Sequence, residues 1–322
     1  MSFVVTGAAG FIGFHVAGAL LSRGERVLGV DNFDPYYSRD LKLARIAELR
    51  RHPGFSLLEA DIGRAESVAA IQAAAGDIAG IANMAANPGV RASDDRPFAF
   101  VSTNVAGMLC ALELVRHAGR DIPLVYASTS AVYGASPDRP FRVDDRADHP
   151  KSLYGATKRA AELVSVSYAE RFGIGATGLR FFTVYGPWGR PDMATWKFTK
   201  ALFEGGTIQL NNFGRMSRGF TFVEDTVRAV LLAMERPASA GQHRVLNVGS
   251  AKAEPLERYL AVLERAVGKS ARIERVAAHP SEMIDTVADI AETELALGWR
   301  PTTTIDEGLP LFVEWYRRYH GL

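Results

Sequence analysis

Short apolar runs alternate with longer amphipathic ones through the first half of the chain, and that alternation sets the expected fold. Phe3-Val4-Val5-Thr6 is a β-branched and aromatic run of strand length. A helix is expected over about 11–23, stopped by Gly24. The pattern then repeats. A second strand over 26–30 ends at Asp31, a helix covers about 40–51, and strands cover 55–62 and 78–84. A long apolar helix over about 97–118 leads to a fifth strand at 123–127. Strands alternating with helices at this spacing predict an α/β fold, a doubly wound parallel sheet with right-handed crossovers.

After Tyr185 the pattern changes to loops and mixed segments rich in Gly, Pro and aromatics. A short helix is expected at 197–204, a hairpin-like piece at 209–214 and a helix from Glu224 to about Glu235. A further strand at 245–249 reads as one that rejoins the main sheet, and an amphipathic helix follows over 255–268. The terminal helix, about 305–320, carries Phe312, Trp315, Tyr316 and Tyr319 at helical spacing, a stripe expected to pack. Two interleaved domains are expected. The first is 1–183, rejoined by about 220–250, and the second is 184–322, the smaller, C-terminal one.

Composition narrows the class. Hydrophobic residues are 48% and charged residues 23% of 322, an ordinary soluble mixture. The net charge of +1, from 37 basic and 36 acidic residues, argues against general attraction to nucleic acid or an anionic membrane. Cys110 is the single cysteine, so no internal disulfide forms and a reducing, cytoplasmic setting is expected. The first residues lack a signal-peptide pattern, and no uninterrupted apolar run approaches the roughly 18 residues that cross a bilayer. The seven histidines are scattered without metal-ligand spacing, so no metal is expected.

The first strand runs into Gly7-Ala8-Ala9-Gly10-Phe11-Ile12-Gly13, a GxxGxxG pattern opening a helix. Glycines let the backbone turn sharply and approach a pyrophosphate, and the helix aims its N-terminal NH groups at the phosphates. Asp31, at the end of the second strand, suits both hydroxyls of an adenosine ribose and repels a 2′-phosphate, which favours NAD over NADP. The expected fold is therefore Rossmann-type. Asn32 begins the loop beyond Asp31. Asp61, beside Ile62, either meets the adenine amino group or caps the next helix. Ala85 and Ala86 are small residues where a ligand approaches a strand end. Asn104 either hydrogen-bonds backbone near the cofactor or braces its own helix.

Tyr154 and Lys158 are four residues apart, which on a helix places them on one face. A fixed ammonium near a phenol favours the phenolate, so the pair can serve as a proton-transfer group for an alcohol. Ser128-Thr129-Ser130 follows the fifth strand. Thr129 is the expected second hydroxyl, holding the substrate oxygen that Tyr154 deprotonates.

Together these motifs resemble the extended short-chain dehydrogenase/reductase family, whose members act on nucleotide sugars and keep NAD bound. Residues 180–193, RFFTVYGPWGRPDM, are similar to the signature of its UDP-glucuronate 4-epimerases, with support from Gly89-Val90-Arg91, 197–200 and 218–221. The resemblance implies a UDP-sugar substrate gripped by Arg190 and Arg218, with Arg91 facing it, and Glu282 near the uridine ribose. It implies a uronate carboxylate met by Ser128, Ser130 and Thr183, and a homodimer to which Met108, Leu112 and Leu163 contribute. Two departures stand out: Gly219 replaces the usual Asp, and Asn87-Pro88 sits in the stretch preceding Gly89-Val90-Arg91. The acid that related dehydratases carry two positions after the catalytic threonine is here Ala131. The expected reaction is therefore reversible oxidation at C4 interconverting UDP-glucuronate and UDP-galacturonate. The alternatives are the same chemistry on UDP-glucose, UDP-glucuronate decarboxylation, or a non-catalytic NAD-binding sensor.

Overall fold

A computed structural model describes residues 1–134, 136, 139–277, 283 and 285–322. The strand-forming runs at the chain start become β1 (Ser2–Thr6), β2 (Val27–Asp31), β3 (Phe55–Glu59), β4 (Ile78–Asn83), β5 (Leu124–Thr129) and β6 (Ala176–Phe181). Five of them have both faces covered and read as continuous apolar or small runs rather than alternating ones. With β11 (His243–Val248) they form a seven-stranded sheet of order β11-β6-β5-β4-β1-β2-β3, every neighbouring pair parallel. Strand order reverses between β1 and β4, so their carboxyl ends open the crevice in which such sheets bind ligands.

Helices cover both faces. α1 (Phe11–Ser22) and α7 (Val223–Glu235) bury Val16, Leu20, Val227 and Val230 against one face. α3 (Glu66–Ala75), α4 (Pro97–Arg116) and α5 (Leu153–Phe172) cover the other with Ile71, Met108, Leu112 and Ala161. Between them in sequence, α2 (Arg39–Leu49) borders the nucleotide crevice and α6 (Ala194–Glu204) belongs to the second core.

α4 departs from expectation in three ways. Its 20 residues are long and apolar enough to span a bilayer by length and composition, although half of that stretch is buried inside the fold. A π-helical turn over Ser102–Ala106 interrupts it and carries Asn104 inward; such turns recur at functional sites. Met108 and Leu112, expected at a subunit contact, are 1% and 0% exposed in the core, because the face they occupy meets the sheet. Leu163, on α5, is 54% exposed.

The second core lies beyond the sheet's carboxyl edge. It packs Trp196, Tyr259, Phe312, Trp315 and Tyr316 from α6, α8 (Leu256–Val267) and α9 (Ile305–His320). Around it sit three small sheets. β7 (Thr183–Tyr185) pairs with β10 (Phe220–Phe222), and β9 (Ser217–Arg218) lies between β12 (Glu254–Pro255) and β14 (Asp285–Thr286). β8 (Thr207–Leu210) pairs in parallel with β13 (Arg272–Arg275). The expected hairpin at 209–214 is thus a strand with a distant partner, followed by a turn in which Asn212 and Phe213 have φ of 48° and 55°. Asp225 clamps a distant segment rather than capping its own helix. Its carboxylate accepts from Thr302 N at 3.1 Å, Thr303 N at 2.9 Å and Thr302 Oγ1 at 3.0 Å.

Candidate active site

Two cavities meet at the carboxyl edge of the sheet. The first lies over β1, β2 and the glycine turn, lined by Gly7, Gly10, Phe11, Ile12, Gly13, Asp31, Asn32, Ile62, Ala85, Ala86 and Lys158. The glycines are a packing requirement. A Cβ on Gly13 would lie 2.1 Å from Gly7 O, and one on Gly7, at φ +67°, would lie 2.8 Å from the Ala85 backbone. The turn therefore nests against the end of β4 with no room for side chains, and the first NH groups of α1, from Phe11 on, are the donors left for a pyrophosphate.

Asp31 locks the turn to the end of β2. Its carboxylate accepts from Ala9 N at 3.0 Å and from Phe33 N at 2.9 Å. Burial pushes its pKa up, against the pull of Lys42 and these NH donors. A carboxylate fixed here and facing the cavity fits a diol, and so fits NAD. Asn32 accepts from Asp34 N at 3.0 Å.

Two residues expected at the cofactor are placed differently. Asp61 does not line the cavity: it accepts from Gly63 N at 2.9 Å in a local turn, while Ile62 beside it faces inward. Nor does it cap α3, whose N-cap position is Ala65. Asn104 sits behind the wall, accepting from Asn87 N at 2.9 Å and donating to Asn87 O at 3.1 Å and Thr157 Oγ1 at 3.0 Å. It braces the β4 loop against α5. The Asn87-Pro88 departure has its own logic here, since Asn87 Nδ2 donates to Ala99 O at 3.0 Å and Thr103 Oγ1 at 2.8 Å.

The second cavity, about 790 Å³, runs between the sheet edge and the second core, a volume in the range of small-molecule sites. Arg91, Thr129, Ser130, Tyr154, Thr183, Arg190 and Arg218 line it. Glu282 lies outside the described residues. Thr129, Tyr154 and Arg190 border both cavities, as do Tyr36, Pro88, Phe181, Phe182 and Met193. A hydride donor in one cavity and a sugar in the other would meet at the Thr129–Tyr154 wall.

Local structure aims the reacting groups. Ser152 Oγ caps α5 by accepting from Gly155 N at 3.1 Å, which starts the helix at Leu153 and puts Tyr154 in its first turn, facing the cavity. Burial pushes the Tyr154 phenol up, while a hydrogen bond with Thr129 and the charge of Arg190 pull it back. Lys158 is buried and lines only the first cavity. Burial draws its ammonium down to about 8, opposed by Glu162. Arg190 is thus a second cation acting on the phenol, one that the spacing of Tyr154 and Lys158 did not point to.

Arg190 is itself held in a two-point pair with Asp192 at 2.9 and 2.6 Å. Asp192 also accepts from Tyr36 Oη at 3.1 Å. Burial works against the Arg190 charge, but Asp192 outweighs it and the guanidinium stays firmly protonated. Ser128, expected to meet a carboxylate, borders the first cavity and donates its proton to Glu162 at 2.6 Å. Of the three hydroxyls expected at the carboxylate, Ser130 and Thr183 line the second cavity.

Sequence reasoning passed over Tyr36, Lys42 and Met193 as cavity residues. Tyr36 and Lys42 lie just beyond Asp31, and the crossover from β2 folds them back over the nucleotide side. Their signal was their nearness to Asp31, the only anchor the sequence offered there.

Known proteins resemble this chain throughout. The family model described as NAD dependent epimerase/dehydratase family matches residues 3–249. A probable UDP-glucuronate 4-epimerase of Rhizobium meliloti is 39% identical, covering 99% of each chain. UDP-glucuronate 4-epimerase 4 of Arabidopsis thaliana is 38% identical over 100% of this chain and 76% of its own length. A crystal structure of UDP-glucuronic acid 4-epimerase from Bacillus cereus, in complex with UDP-glucuronic acid and NAD, superposes with a TM-score of 0.91. It is 32% identical and covers 99% of this chain and 100% of its own. The chain belongs to the NAD-dependent epimerase/dehydratase family.

Proposed function

We propose that this protein is a UDP-glucuronate 4-epimerase that interconverts UDP-glucuronate and UDP-galacturonate. The observation that carries the reading is the shared wall: Thr129 and Tyr154 border both the NAD-shaped cavity and the sugar-sized one. Bound NAD supplies a hydride acceptor and donor for C4. Tyr154, as phenolate, takes the proton of the C4 hydroxyl, and Thr129 holds that oxygen in line. The proton returns from Tyr154 after the 4-keto sugar presents its other face. Lys158, the buried cation of the first cavity, would help hold the cofactor there.

Arg190 offers a charged fork to the substrate without leaving Asp192, and Arg218 and Arg91 supply further cations to its phosphates. Ser130 and Thr183 are neutral donors placed to receive the uronate carboxylate. Ala131 leaves no acid to expel a C6 hydroxyl. We assign 1–183 together with β11 to the cofactor domain and most of 184–322 to the substrate domain. Phe98, Val101 and Leu163, at 87%, 46% and 54% exposure on α4 and α5, support a homodimer through these helices. A cytoplasmic setting agrees with the lone thiol of Cys110, buried and pushed up to about 11 by that burial.

The reading is tested with purified protein shown to retain NAD. Incubation with UDP-glucuronate and no added NAD yields UDP-galacturonate. A UDP-pentose with released CO2, or no turnover, would refute it.

A further inference from the structure

Arg45, on α2, is 0% exposed, and among the described residues no carboxylate pairs with it. Its guanidinium instead holds three carbonyls from two separate pieces of backbone, and a phenol. Nη1 donates to Ala9 O at 2.8 Å and Tyr37 Oη at 2.7 Å. Nη2 donates to Trp188 O at 2.5 Å and Gly189 O at 3.2 Å. Its Nε has no partner. Burying a guanidinium without a counter-ion is costly, so the arrangement requires a return.

The return lies in what the fork connects. Ala9 belongs to the glycine turn, and its NH is the group that Asp31 accepts from. Trp188 has φ +60°, a conformation strained for any residue with a side chain. Its ring is wedged among Phe14, Trp315 and Tyr319 at 5.3, 5.3 and 5.6 Å. Two residues on, Arg190 borders both cavities. The strained turn therefore sets the direction from which Arg190 enters the site, and Arg45 ties the carbonyls of that turn to the cofactor loop.

We propose that Arg45 is a positioning residue that fastens the Trp188-Gly189 turn to the glycine loop and thereby aims Arg190 into the sugar pocket. A lysine reaches one of these carbonyls, whereas the planar fork reaches both elements at once. The proposal rests on the 4-epimerase reading and deepens it.

A double-mutant cycle decides it. Holoenzymes of the wild type, Arg45→Met, Arg190→Ala and the double variant are matched for NAD content and assayed with UDP-glucuronate; UDP affinity is measured by calorimetry. Arg45→Met loses about 100-fold in kcat/KM, the scale of an ångström misplacement. In the Arg190→Ala background the same change costs less than about twofold, and Arg45→Lys recovers part of the loss. Losses that multiply in the double variant overturn the proposal, as does an Arg45→Met loss wholly accounted for by missing NAD. If Arg45→Met folds poorly, Arg45→Lys carries the cycle. If the wild type leaves UDP-glucuronate unchanged, the epimerase reading fails by itself. The cycle in UDP affinity then decides Arg45 by the same non-additivity.

Discussion

Ser128 donates a 2.6 Å hydrogen bond to Glu162, so the strand residue beside Thr129 is tied to the helix that carries Tyr154 and Lys158. Glu162 lies four residues beyond Lys158, which lies four beyond Tyr154, on one face of α5. Its carboxylate also takes two bonds of 2.9 Å from Arg180, and the side chains of this pair are 0% and 3% exposed.

Glu162→Ala leaves the buried Arg180 charge without its partner. The expected loss is about 3–5 kcal/mol of stability, read as a shift in the urea midpoint at constant slope. A loss under about 1 kcal/mol would show that the pair is energetically idle.

Tyr154→Phe removes the hydroxyl proposed to take the C4 proton, and leaves the Phe100–Tyr154 ring contact at 6.1 Å possible. Turnover falls by about 10²–10⁴-fold, while NAD content and thermal midpoint hold. A variant that keeps more than a tenth of wild-type activity (about 1.4 kcal/mol of barrier) would remove Tyr154 from the chemistry.

Thr129→Val tests the phenol's environment. Thr129 pulls the Tyr154 pKa down against burial, so its loss raises that pKa. The active form is the phenolate, present above the pKa and lost as pH falls through it. The rising limb of kcat against pH therefore moves to higher pH in the variant, with a lower rate at neutral pH. A limb that stays put while the rate drops would mean that Thr129 only positions the sugar.

Gly219→Asp introduces the residue that the resemblance to UDP-glucuronate 4-epimerases implies at this position, yet it is expected to harm this chain. A Cβ there would lie 2.6 Å from Ser250 O and 3.2 Å from Thr286 O, between backbone segments that cannot yield cheaply. The expected cost is about 1–3 kcal/mol, measured by thermal unfolding, with weaker UDP-sugar binding because Arg218 precedes it. Unchanged stability would show that the β9 region adapts.

Local patterns carried much of this fold and site. The order strand, glycine turn, helix, strand and Asp31 lies within 31 residues of sequence, and each step is a local preference. The parallel pairing followed from the alternation of strands and helices, whereas the order of the strands did not. The spacing of Tyr154 and Lys158 was equally readable, but its electrostatics were not. Those depend on Arg190, 36 residues away from Tyr154, and on the burial that draws Lys158 down against the pull of Glu162. The pairing of β8 with β13 joins segments over 60 residues apart, beyond any periodicity. Met108 and Leu112 read equally well as core or contact surface, and only the packing of α4 on the sheet decides. Arg45 carried no signal, since a lone arginine on a helix is ordinarily solvated.

The central claim is that C4 is oxidised and reduced again by the same hydride within one closed site. UDP-glucuronate deuterated at C4 measures this directly. The expected product is UDP-galacturonate that retains the label at C4, with no deuterium at C4 when unlabelled substrate reacts in D2O. Loss of the label to solvent, or its appearance from D2O, would contradict hydride return and require epimerisation by proton exchange.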